Sequence, residues 1–138
     1  MDRFDTQKKY YFQTLRFQDE EGNEKEIEIN FEKIGYLKVI EEDSREIKLA
    51  LTYRKKASIK EYTFSLRLPE EGNERFKRLA KFGLYRLENY IININNIVFA
   101  DHETDKNKSK IVFYFVDGQH LQVNTTKPRW EAWRNTRM

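Results

Sequence analysis

Hydrophobic and polar positions alternate with a period of two along most of the first two thirds of the chain. Tyr11, Leu15 and Phe17 share one side of a predicted strand, with Arg16 and Gln18 opposite, and Glu20-Glu21-Gly22-Asn23 then supplies turn chemistry. Ile27, Ile29 and Phe31 alternate with Glu26, Glu28 and Asn30, the signature of a half-buried strand. Leu37 and Val39 face one way in a third strand, but Glu41 takes the next place on that face, which predicts a loop over 41–44. Ile47, Leu49, Leu51 and Tyr53 resume the alternation. After the basic turn Arg54-Lys55-Lys56-Ala57-Ser58 it continues through Tyr62, Phe64, Leu66 and Leu68. Short connections between such runs favour antiparallel neighbours, so the pattern predicts a β-meander.

The period changes after Pro69. Asn73 is a candidate N-cap, and Phe76, Leu79, Ala80, Gly83 and Leu87 form one apolar stripe of a helix predicted over about 74–87. Arg75, Lys77, Arg78, Lys81 and Arg86 fill most of its remaining surface. Gly83 weakens a helix by ~1 kcal/mol relative to Ala, and so marks either the helix end or a close packing contact. Strand character returns at 90–94 and 97–99, a polar loop is predicted over 101–110, and the apolar run Ile111-Val112-Phe113-Tyr114-Phe115-Val116 follows. Asp117-Gly118 predicts a two-residue type I′ turn leading into Leu121 and Val123. Thr126 and Pro128 suit the start of a closing helix over about 128–137, carrying Trp130 and Trp133.

The expected fold class is therefore α+β: about eight mainly antiparallel strands, one basic amphipathic helix and a short C-terminal helix. A chain of 138 residues suits a single domain. Because strands followed by a helix occur twice in order, two diverged halves of about 1–87 and 88–138 are the alternative organisation. The pentapeptide Glu-Glu-Gly-Asn-Glu recurs at 20–24 and 70–74, but in different predicted contexts, and reads as convergent turn chemistry.

Composition narrows the function. There is no cysteine, which excludes disulfides, thiolate metal sites and cysteine nucleophiles. The first residues lack the apolar stretch of a signal peptide, and no run of ~18 apolar residues occurs, so the expectation is a cytoplasmic protein without a membrane partner. The five glycines are too scattered for a phosphate-binding loop, and no serine has a neighbouring histidine. Asp101, His102, Glu103 and Asp105 form the most metal-like cluster. Lys106, Lys108 and Lys110 oppose it, so neither a metal nor another cofactor is assigned. The chain is expected not to be an enzyme.

Charge is more informative than its sum of +3. Residues 1–50 carry 9 basic and 13 acidic groups, whereas 54–86 carry ten Lys and Arg against four Glu. If the predicted helix packed beside the preceding turn, Arg54, Lys55, Lys56, Lys60, Arg75, Lys77, Arg78, Lys81 and Arg86 would form one surface suited to phosphate. Single strands also stack on exposed rings. Trp130 and Trp133, beside Arg129, Arg134 and Arg137, are candidates, as are Tyr10, Tyr53 and Tyr114. A meander followed by a helix is similar in element order to the Pur-repeat and Whirly-type single-strand binders, although no diagnostic motif aligns. The expectation is a non-enzymatic intracellular binding protein that takes nucleic acid, single-stranded by preference, with weak sequence discrimination. The alternative is a protein-interaction module using sheet edges and charged faces, for which edge strands around 24–31 are candidates.

Overall fold

A computed structural model describes residues 12–18, 21–55, 57–68 and 71–137. They form, in order, β1 (Phe12–Gln18), β2 (Glu24–Asn30), β3 (Tyr36–Glu42), β4 (Glu46–Lys55), β5 (Ser58–Arg67), α1 (Lys77–Ala80), β6 (Leu84–Leu87), β7 (Tyr90–Asn93), β8 (Ile97–Asp105), β9 (Lys108–Phe115), β10 (His120–Thr126) and α2 (Lys127–Arg137). The class is α+β with antiparallel meanders, as the alternation predicts. β1 and β2 make a hairpin, five strands run in the order β5-β4-β3-β7-β6, and the remaining three run β10-β9-β8. The boundary between the two suggested halves falls in the β6–β7 turn, inside one sheet.

The five-stranded sheet lies between two cores. On one side Leu37, Leu49, Phe64, Leu84 and Ile91 pack with Ile29 and Phe31 from the β2 region and Leu79 from α1. On the other, Tyr36, Ile92 and Leu87 meet Ile111, Phe113, Phe115, Leu121 and Val123, together with Trp130 and Trp133 of α2. Successive strand residues point to opposite faces, so Ile91 and Ile92 serve different cores, and β7 needs apolar residues at consecutive positions. Buried Asn93 ties the layers together: its Nδ2 donates to the carbonyls of Phe31 and Glu32 at 3.1 and 3.2 Å, and its Oδ1 accepts from the Asn95 N–H at 3.0 Å.

Four local expectations are corrected. The helix over 74–87 reduces to a 3-10 turn at Gly72–Glu74 and one α turn, and Leu84–Leu87 is a strand. Gly83 ends the turn at φ +84°, and a Cβ there would collide with the Asn95 side chain. The polar stretch 101–110 is not a loop but a hairpin, with Lys106 at φ +58° in its two-residue turn. Asp117-Gly118 does turn the chain, but the Phe115 N–H bonds the Gln119 carbonyl across a three-residue loop, and of the two only Gly118 has positive φ. That geometry is a type I turn closed by a left-handed glycine. The loop predicted over 41–44 starts only at Asp43: Glu41 and Glu42 stay paired in β3, and the alternation breaks because the β3–β4 register shifts between Val39 and Glu41, which leaves Ile40 exposed.

Candidate functional site

The cations predicted to share a surface are divided. Tyr53 and Lys60 are paired near the tip of the β4–β5 hairpin, whereas Glu46 and Arg67 are paired at its far end. Seven residues at ~3.3 Å each separate those ends by about 23 Å. Lys60 is exposed at the tip. Arg54 and Lys55 belong to β4 by backbone, and their side chains, like all of Lys56 and Tyr10, lie outside the described residues. The α1 region sits at the other end. There the Arg75 guanidinium donates to the carbonyls of Asp43, Ser44 and Glu46, and lies 3.5 Å from Glu42. Arg86 pairs with the same Glu42 at 2.6 Å and donates to the Glu88 carbonyl. Arg78 donates to the Arg67 carbonyl, and Lys77 pairs with Glu74 at 2.8 Å. Lys81 is exposed. Arg75 and Arg86 thus hold the 42–46 and 88–89 turns in place, a structural use that sequence reasoning cannot see because the partners are 29 or more residues away for Arg75.

The tryptophans are also corrected. Trp130 and Trp133 are 2 and 4% exposed, and both rings meet the edge of Phe113, with centroids 6.0 and 5.5 Å away. They close the second core and offer no face to a base. Arg134 lies over Trp130 at 5.8 Å, and Arg129 pairs with Glu88 at 2.7 Å. That bond, first, and a second from Thr125 Oγ1 hold the Glu88 carboxyl below the ordinary range, against the opposing effect of partial burial. An open groove of about 560 Å³ runs between the β6–β7 turn and α2, bordered by Arg86, Glu88, Arg129 and Trp133. Arg86, Glu88 and Arg129 are all paired within the chain.

Asp101, Glu103 and Asp105 project from the outward face of β8, while His102 points the other way, with its ring 5.5 Å from Trp130. Alternation therefore keeps the imidazole away from the carboxylates. Among the described residues no group of three or more metal-ligating side chains converges.

Among the described residues, three of the six exposed large hydrophobics lie on the outward face of β8–β9–β10; the others are Ile40 on β3 and Tyr53 and Ile59 near the β4–β5 tip. Inward residues Ile111, Phe113 and Phe115 are buried, and outward Val112, Tyr114 and Val116 are not. Phe99 stacks on Tyr114 with centroids 4.5 Å apart, and the Tyr114 and His120 rings are 6.0 Å apart, one row across all three strands. Val98, Phe99 and Val116 are 60, 54 and 66% exposed. Val98 joins Phe99 there because the β8 register shifts between Ile97 and Phe99. Tyr114 was among the sequence candidates; Val98, Phe99 and Val116 were not. The available signal was the unbroken apolar run 111–116, which marks a strand apolar on both faces.

No family model, curated protein or solved structure matches the chain. No helix among the described residues is long and apolar enough to cross a membrane. The functional reading therefore stands on the geometry alone.

Proposed function

We propose that the protein is a non-enzymatic binding module that docks another protein on the outward face of β8–β9–β10. The observation that carries this reading is the apolar second face of β9, continuous with exposed Val98 and Phe99. A large exposed apolar patch has a free-energy cost in water that burial against a partner removes. The polar groups around it favour protein over nucleic acid. Asp101, Glu103 and Asp117 border the aromatic row, and Lys110 on the same face lies 3.6 Å from Glu103, so this is not the basic surface that a phosphate backbone seeks.

The test is the size of the complex in extract of the native cell. The tagged chain should elute in a nuclease-resistant assembly, and Phe99→Ser with Tyr114→Ser should release it as a folded free chain. Elution unchanged by this double substitution would contradict the proposal.

One observation favours a second reading. Tyr53, 51% exposed, sits beside Lys60 in a hairpin tip whose sequence is Arg54-Lys55-Lys56. We propose nucleic-acid binding at this tip as the competing function. A labelled mixed-sequence single strand should then bind with steep salt dependence, and Lys55→Gln with Lys60→Gln should flatten the slope by roughly one unit per lost phosphate contact. Absence of binding at low salt would remove it.

A further inference from the structure

The open edge of β8 extends the proposed docking face, and its chemistry specifies what would lie there. Among the described residues, β5 packs against β1, β6 against α1 and α2, and β10 against α2, whereas β8 packs extensively only on β9; β2 likewise packs extensively only on β1, but its Ile29 is buried in the first core. β8 is nine residues long and exposed over most of its length. On such an edge every second residue turns its backbone N–H and carbonyl away from the sheet, ready for another strand.

The side facing β9 shows what this strand accepts. Phe99 stands opposite Tyr114, Glu103 opposite Lys110 and Asp105 opposite Lys108. β8 therefore presents an acid at three consecutive outward positions, 101, 103 and 105, and an aromatic ring at 99. β9 answers with lysines toward one end and an aromatic toward the other. The free side presents the same outward side chains, and among the described residues no strand lies beside them.

We propose that β8 pairs with an extended segment of another polypeptide that carries Lys or Arg at alternate positions and an aromatic or apolar residue opposite Phe99. This rests on the protein-docking reading above and supplies its partner chemistry. A second copy of β8 is disfavoured as occupant, because self-pairing would set Asp101, Glu103 and Asp105 against the same acids, and like charges in facing strands repel. Nucleic acid is disfavoured by the same charges. The acids then do two things at once: they discourage unselective edge pairing and admit a basic strand.

The experiment uses the full chain and a capped heptapeptide alternating lysine with threonine and ending in tyrosine, which in antiparallel register sets its lysines opposite 105, 103 and 101 and its tyrosine opposite 99. A control has the same composition with its lysines consecutive. The alternating peptide should bind saturably and slow hydrogen exchange of amides within 99–105. The control should bind at least about tenfold more weakly, the scale of a few cross-strand pairs. Asp101→Lys with Glu103→Lys, both at exposed positions, should abolish that preference and select a glutamate version of the alternating peptide instead.

Equal binding of the two lysine peptides, protection located outside β8, or no binding would each overturn edge pairing. If the native complex still depended on Phe99 and Tyr114 after such a result, the docking face would stand and the edge inference alone would fall. If that dependence were also missing, both would fall.

Discussion

β7 and β9 are both inner strands with apolar residues on both faces, yet among the described residues only β7 has protein packed on each side. Ile91 serves the core beneath β2 and α1, and Ile92 the core shared with the three-stranded sheet. In β9 the inward Phe113 is fully buried, while Tyr114, next to it in the chain, shares an open face with half-exposed Phe99. The strands have the same kind of sequence and differ in what covers them. That contrast places the largest group of exposed hydrophobics among the described residues, Val98, Phe99 and Val116, on the outer face of β8–β9–β10.

Substitution on the two faces of β9 should separate stability from binding. Phe113→Ala, which removes a ring contacting both tryptophans, should cost about 3–5 kcal/mol in urea unfolding. Tyr114→Ala should cost about 1 kcal/mol or less, the scale of one exposed cross-strand pair. Comparable losses at both positions would mean that the outward face is already structural, and the contrast would fail.

A smaller effect is expected at Glu42, which accepts from Arg86 and neighbours Arg75. Glu42→Gln should destabilise by about 1–2 kcal/mol, because it weakens charge-assisted bonds to two partly buried guanidinium groups. Lys81→Gln, at an exposed site, should lie within about 0.5 kcal/mol of wild type. Equal, negligible effects would return Arg75 and Arg86 to the pool of available cations and strengthen the nucleic-acid reading.

The smallest effect concerns pH. The folded carboxyl of Glu88 is held below its unfolded value, chiefly by Arg129. Its stabilising contribution is therefore present above the unfolded pKa and is lost as pH falls through the lower, folded one. Arg129→Ala should move the Glu88 titration, followed by NMR, back toward the ordinary range and reduce the acid sensitivity of unfolding. An unmoved titration would show that Arg129 is not the group holding Glu88.

Much of the fold was legible because period two and a two-sided sheet impose the same constraint on successive residues. Ile27 to Leu68 shows that alternation, and the closing helix matches its caps closely. The segment 74–87 was not legible. Leu84 and Leu87 belong to opposite cores, and four residues are too few to distinguish a strand from the last turn of a helical stripe. β8 was hidden for a different reason: its polar half is an edge strand with little to bury, so no apolar period marks it. Which of the candidate cations and rings stay exposed was not legible, because exposure depends on long-range closure. Composition announced the arginines, but not that Arg75 would be taken up by the 43–46 turn or the tryptophans by Phe113. The run 111–116 did carry the needed signal, an apolar strand with one face more than the described residues cover.

Site-specific photo-crosslinking in the native cell tests that claim most directly, with the reactive side chain placed at Phe99 in one variant and at Tyr53 in another. The account predicts protein adducts from position 99 that survive nuclease treatment, and few from position 53. Nuclease-sensitive adducts concentrated at position 53, with none at 99, would contradict it.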